Sequence, residues 1–158
     1  MNSERQRETV VAVNIRGRSA VEWVLILIVV AGLAIDAYVH FDLASAFDGE
    51  KTSTLSVGDM FRGEASVAII AALALLLHPR RWTAAFAFIV SGAGFVAVVV
   101  TRYVNVGQIG FIPNTYDPFW QPTGKWVSAI AEGVAALVAL GLFAVMNTYA
   151  RTRETARV

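Results

Sequence analysis

Between Val21 and Phe41 the chain runs almost uninterrupted through apolar side chains, with Glu22, Asp36 and His40 as the only acidic or imidazole groups. A run of about 20 such residues is what a helix needs to cross the hydrocarbon core of a bilayer. Three further apolar stretches follow, and a chain of 158 residues cannot hide four of them in a water-soluble core. Only 16% of the residues are charged, against about 25% in soluble domains. The fold class read from this pattern is all-α: an integral membrane, antiparallel four-helix bundle.

The helices are expected at about 21–41, 59–78, 82–104 and 126–147. They make a bundle over 21–149, between an N-terminal tail (1–20) and a C-terminal tail (150–158). Arg16 and Arg18 before the first run, with Ala44-Ser45-Ala46 after it, also fit a signal peptide. The run is long for that, and Asp36 and His40 would fall between it and the cut. In the second helix Ala65 to Leu77 is too short to span alone, so the helix must begin near Asp59 and take Arg62 and Glu64 with it. Pro79 ends it. The third helix carries Ser91-Gly92-Ala93-Gly94 and the fourth the ladder Ala131, Ala135, Ala139, small residues that let helices approach closely. The loop 105–125, with Pro113, Pro118, Pro122 and several aromatic residues, reads as a compact segment resting on the interface.

Nine of the thirteen Lys and Arg residues lie in the tails and the Arg80-Arg81 turn: Arg5, Arg7, Arg16, Arg18, Arg80, Arg81, Arg151, Arg153 and Arg157. Both termini are therefore expected to be cytoplasmic. Tyr38, Trp82, Tyr103 and Trp126 fall near the expected interfaces, as aromatic-belt residues do. A net charge of +1 without a basic aromatic patch gives no nucleic-acid partner. Without cysteine there is no thiolate chemistry. No nucleotide loop, Ser-centred elbow or zinc-protease motif occurs, and no catalytic residue is assigned.

The informative residues are the charges inside the spans. At about 1.5 Å per helical residue, Asp36, Glu64 and Glu132 fall at similar depth in the outer half, with His40 and Arg102 just above. Small residues one or two turns away on the same faces point all of them inward. Intramembrane charge is costly and a functional role is its default reading. Carboxylates with a histidine at helical spacing are similar to ligand sets inside four-helix bundles. A divalent metal (zinc, iron or manganese) on Asp36, His40, Glu64 and Glu132 is one reading. A proton- or ligand-responsive pocket is another. The third is an electrostatic clasp, in which Arg102 and Arg62 neutralise Glu64 and Glu132 while Asp36 fixes the His40 tautomer.

Asp36 with His40, Glu64, Arg102-Tyr103 and Glu132, set on four spans, resembles small uncharacterised bacterial membrane proteins, loosely the DoxX-like families. The Ala/Val/Arg-rich composition is similar to that of high-G+C bacteria. The resemblance implies a bacterial plasma membrane, and through the DoxX-like families a link to quinone-associated redox chemistry. Three functional classes are carried forward. The leading expectation is a non-catalytic accessory or assembly subunit, whose small-residue faces dock a membrane partner or a second copy. The others are a metal-binding or quinone-linked redox protein and a small proton-coupled transporter, both using the same polar layer.

Overall fold

In a computed structural model of the chain, which describes residues 18–155, four long helices follow one another. They are α1 (Ala20–Ala44), α2 (Val57–Leu77), α3 (Arg81–Tyr103) and α4 (Gly124–Thr155). All four contain stretches long and apolar enough to cross a membrane. The chain is a four-pass membrane protein by helix length and hydropathy. The tail read over 1–20 lies outside the described residues up to residue 17, as does Arg157.

Local chemistry sets most of the helix ends. Ser19 caps α1, accepting from the Glu22 N–H while the Glu22 carboxylate accepts from the Ser19 N–H. Ser56 and Asp59 do the same for α2. These reciprocal boxes satisfy backbone donors that have no partner within the first turn. α2 stops at Leu77, just ahead of Pro79, which cannot continue a helix. α1 runs on past Phe41 to Ala44 and then tightens into a 3-10 turn over Ser45–Phe47. α4 continues to Thr155, beyond the end expected near Asn147, because no Gly or Pro follows Gly141 to stop it.

Helix directions alternate. Arg18 at the start of α1 donates to the Pro79 carbonyl between α2 and α3. At the other end His40 of α1 meets Glu64 of α2, and Ser128 of α4 meets Asp36 of α1. α1 packs along both α2 and α4, while α3 lies chiefly on α4 and less on α2.

The packing is that of a bundle in lipid. Alanines fill the interior: Ala65, Ala68 and Ala71 of α2, Ala84 and Ala87 of α3, Ala135 and Ala139 of α4 are fully buried. Large apolar residues such as Val24, Ile70, Ile89 and Leu137 point outward. With no hydrophobic drive between helices in lipid, small residues hold them together by close van der Waals approach. Gly32 shows how close: a Cβ there would lie 2.9 Å from the Ala131 carbonyl oxygen and 2.9 Å from Ala135 Cβ. Ala131 and Ala135 of the ladder are therefore spent on the contact with α1, and Ala139 is fully buried.

Candidate functional site

The end of the bundle where α1 and α3 finish and α2 and α4 begin holds a cluster of charge. Asp36 and His40, one turn apart on α1, are 2% and 5% exposed, and Glu132 of α4 is 1% exposed. His40 Nδ1 lies 2.8 Å from Asp36 Oδ1 and 3.1 Å from the Asp36 carbonyl oxygen. Its other ring nitrogen, Nε2, lies 3.3 Å from Glu64 Oε2. The imidazole is thus strung between carboxylates of two helices, and Phe61 meets its face edge-on at 5.1 Å. Asp36 Oδ1 also accepts a hydrogen bond from the Ser128 hydroxyl of α4.

Glu132 is different. Both of its carboxylate oxygens are buried and neither has a hydrogen-bond partner. It sits against the bare backbone of Gly94 on α3, where a Cβ would strike its Oε1 and also Glu64 Oε1. Two carboxylates from different helices therefore share the room that one glycine leaves. One ligand-type atom from each of Asp36, His40 and Glu132 lies within 4.8 Å of the others. Three donors on one ion at about 2.1 Å stand roughly 3.5 Å apart, so the three side chains would have to close by up to about an ångström to seat it.

The structure brings Asp36, His40, Glu64 and Glu132 together and places the two arginines elsewhere. Arg62 forks onto Asp48, with Nη1 2.7 Å from Oδ1 and Nη2 2.9 Å from Oδ2, and reaches Asp59 at 3.3 Å. Arg102 stacks over Tyr103 at 5.1 Å and Trp120 at 5.6 Å. Among the described residues it forms no ion pair, and its buried Nε has no hydrogen-bond partner. Neither arginine closes a clasp on Glu64 or Glu132. Tyr103 itself is exposed on the outside of the bundle.

Above this layer lies a cavity of about 200 Å³. His40, Glu64 and Ser128 line its inner end, and Arg102, Trp120 and Lys125 line it from the loop side. The segment 104–123 forms part of its wall through Thr115, Asp117 and Phe119. That segment is pinned at two places by three contacts: the Asp117 N–H donates to the Thr101 carbonyl at 3.0 Å and its carboxylate pairs with Lys125, while Thr52 Oγ1 donates to the Phe111 carbonyl at 2.9 Å. Ser128 and the Asp48 partner of Arg62 are the residues that sequence reasoning missed as participants. Ser128 could have been found from its place one turn before Glu132 on the same helix face.

Comparison with known proteins finds no family model, no curated protein and no solved structure that matches this chain.

Proposed function

We propose that this four-pass protein holds a divalent transition metal in the layer formed by Asp36, His40, Glu64 and Glu132. The observation that carries the reading is Glu132, a fully enclosed carboxylate with both oxygens unpartnered, beside two other carboxylates and an imidazole. A buried charge demands a counter-charge and a buried polar group demands hydrogen bonds. Neither arginine supplies the charge. If ionised, three carboxylates against one histidine, which carries at most one positive charge, leave the layer negative; a retained proton or a divalent cation would relieve this, and the oxygen and imidazole donors gathered here suit the cation.

The donor set is oxygen and imidazole without sulfur, which suits zinc, iron or manganese. His40 offers Nδ1 on the Asp36 side of the layer and Nε2 on the Glu64 side, so one ion would take one of the two nitrogens and the neighbouring carboxylate would orient the ring through the other. Ser128 in turn steadies Asp36.

The same geometry weighs on the other readings. The accessory-subunit reading rests on small-residue faces, above all that of α4, where Ala131 and Ala135 are taken up by α1. Transport through one copy would have to cross Ile26, Val29, Leu33, Leu75 and Leu142, which close the bundle interior beside the layer without exposed surface. The quinone-linked variant rests on the DoxX-like resemblance alone. The Lys and Arg distribution supports cytoplasmic termini and so a metal layer in the outer half of the membrane. The composition supports a bacterial plasma membrane as the setting.

Thermal denaturation of the protein in mild detergent, with zinc, manganese or iron(II) added, tests this. A metal at 100 times its Kd stabilises the folded chain by about 2.7 kcal/mol, which reads as a higher Tm that a chelator reverses. No shift with any of the three overturns the proposal.

A further inference from the structure

The cavity above the polar layer has a charge of its own to satisfy. Arg102 is half-buried at the end of α3 and lines the cavity. Its guanidinium is sandwiched toward Tyr103 and Trp120, and its Nε is enclosed without an acceptor. The other charges around the cavity are already matched or hydrated: Lys125 by Asp117, His40 by Asp36 and Glu64, while Glu50 is exposed to solvent. The unmet group is a cation with a directional donor. With Nε enclosed, the two terminal nitrogens are left to present a planar pair of N–H donors, a geometry that an oxyanion accepts with two parallel bonds.

The rest of the wall says what the anion is attached to. Phe47, Phe61, Val57 and Leu43 make an apolar part of the cavity wall, which Trp120 also lines. A dry cavity of about 150 Å³ accepts benzene, so one of about 200 Å³ takes a single ring or a short branched chain with one head group. Pockets of this kind, apolar with a few convergent polar groups, are where small ligands bind.

We propose that this cavity is a binding site for a small oxyanion on an apolar body, with the head on Arg102 and the body against Phe47 and Phe61. The site goes beyond the metal reading and does not need it. Its inner wall is nevertheless His40 and Glu64, so a ligand held there faces the metal layer.

The test uses the full chain in phosphatidylcholine nanodiscs and benzoate as the probe, followed by the fluorescence of Trp120, with Trp120→Phe as the control for signal origin. Benzoate should give a saturable change. Benzyl alcohol, the same body without the charge, should bind at least tenfold more weakly. Arg102→Gln should lose at least tenfold in benzoate affinity, and Arg102→Lys should fall between, since it keeps charge but not the fork. Glu132→Gln should leave benzoate binding intact, which separates this site from the metal reading. Competition by phosphatidylglycerol in the disc would make the natural oxyanion a lipid headgroup, and indifference to it would make it a free solute; either outcome supports the oxyanion site. Equal binding of benzoate and benzyl alcohol, no saturable benzoate binding, or full affinity in Arg102→Gln overturns it.

Discussion

The Glu132 carboxylate occupies the space that a side chain at Gly94 would need. α3 thus makes room for the charge of α4 by carrying no Cβ at the contact, and the same gap receives Glu64 from α2. Gly94→Ala should push both carboxylates aside at a cost of about 1–3 kcal/mol, the range for overpacking a closed site. Gly92→Ala is the control, since nothing lies within 4 Å of a Cβ there. Paired thermal melts in detergent check this, and equal Tm values for the two variants would contradict it.

Gly32 makes the corresponding contact between α1 and α4. Its Cβ would meet the Ala131 carbonyl and Ala135 at 2.9 Å, and backbone cannot swing away as a long side chain can. Gly32→Ala should destabilise by about 1–3 kcal/mol. Gly141→Ala, again with nothing within 4 Å, should be neutral or slightly stabilising through its better helix propensity. Chemical denaturation of the two variants side by side reads the difference.

Ser128 donates to an Asp36 oxygen that His40 also needs. Ser128→Ala removes a hydrogen bond to a charged group, typically about 1.5–3 kcal/mol. It should also loosen metal binding without abolishing it, because Ser128 steadies a ligand and is not one. Metal titration followed by Tm would show a weaker but saturable response. An unchanged response would place Ser128 outside the site.

The Arg62 guanidinium beside Asp48 holds its carboxyl below the ordinary value of 3.8. A depressed value means the folded chain binds this proton less readily than the unfolded chain. The pair's stabilisation is therefore fully present above about pH 4 and lost as pH falls through the folded value. The Tm gap between wild type and Asp48→Asn should be largest near neutrality and shrink below pH 4. The pair is solvent-exposed, so the gap should also narrow in high salt. A gap independent of both would mean the pair contributes nothing.

Much of this architecture is legible in the sequence for one physical reason. Span length and helical rise fix how deep Asp36, Glu64 and Glu132 lie, so their common layer follows from counting residues. Burial of Gly32, Ala68 and Ala139 likewise follows from small residues recurring on one face. Charge partners are less legible, because they depend on the loops. Arg62 was expected to reach inward, yet Asp48, delivered by the 3-10 turn after α1, takes it at the surface. Arg102 was expected to neutralise a carboxylate, yet the loop returns Trp120 to its guanidinium. The ladder on α4 reads equally well as a face for a partner or for α1, and only the fold decides which helix uses it.

Metal content tests the central claim most directly. The protein would be purified in mild detergent after expression with zinc, iron and manganese supplied, beside Glu132→Gln, and both would be measured by elemental analysis with circular dichroism as the check on folding. The proposal predicts an equimolar divalent ion on the wild-type chain, lost from a Glu132→Gln chain that keeps its helices. A folded wild-type chain that carries no metal, or a Glu132→Gln chain that keeps its ion, would contradict it.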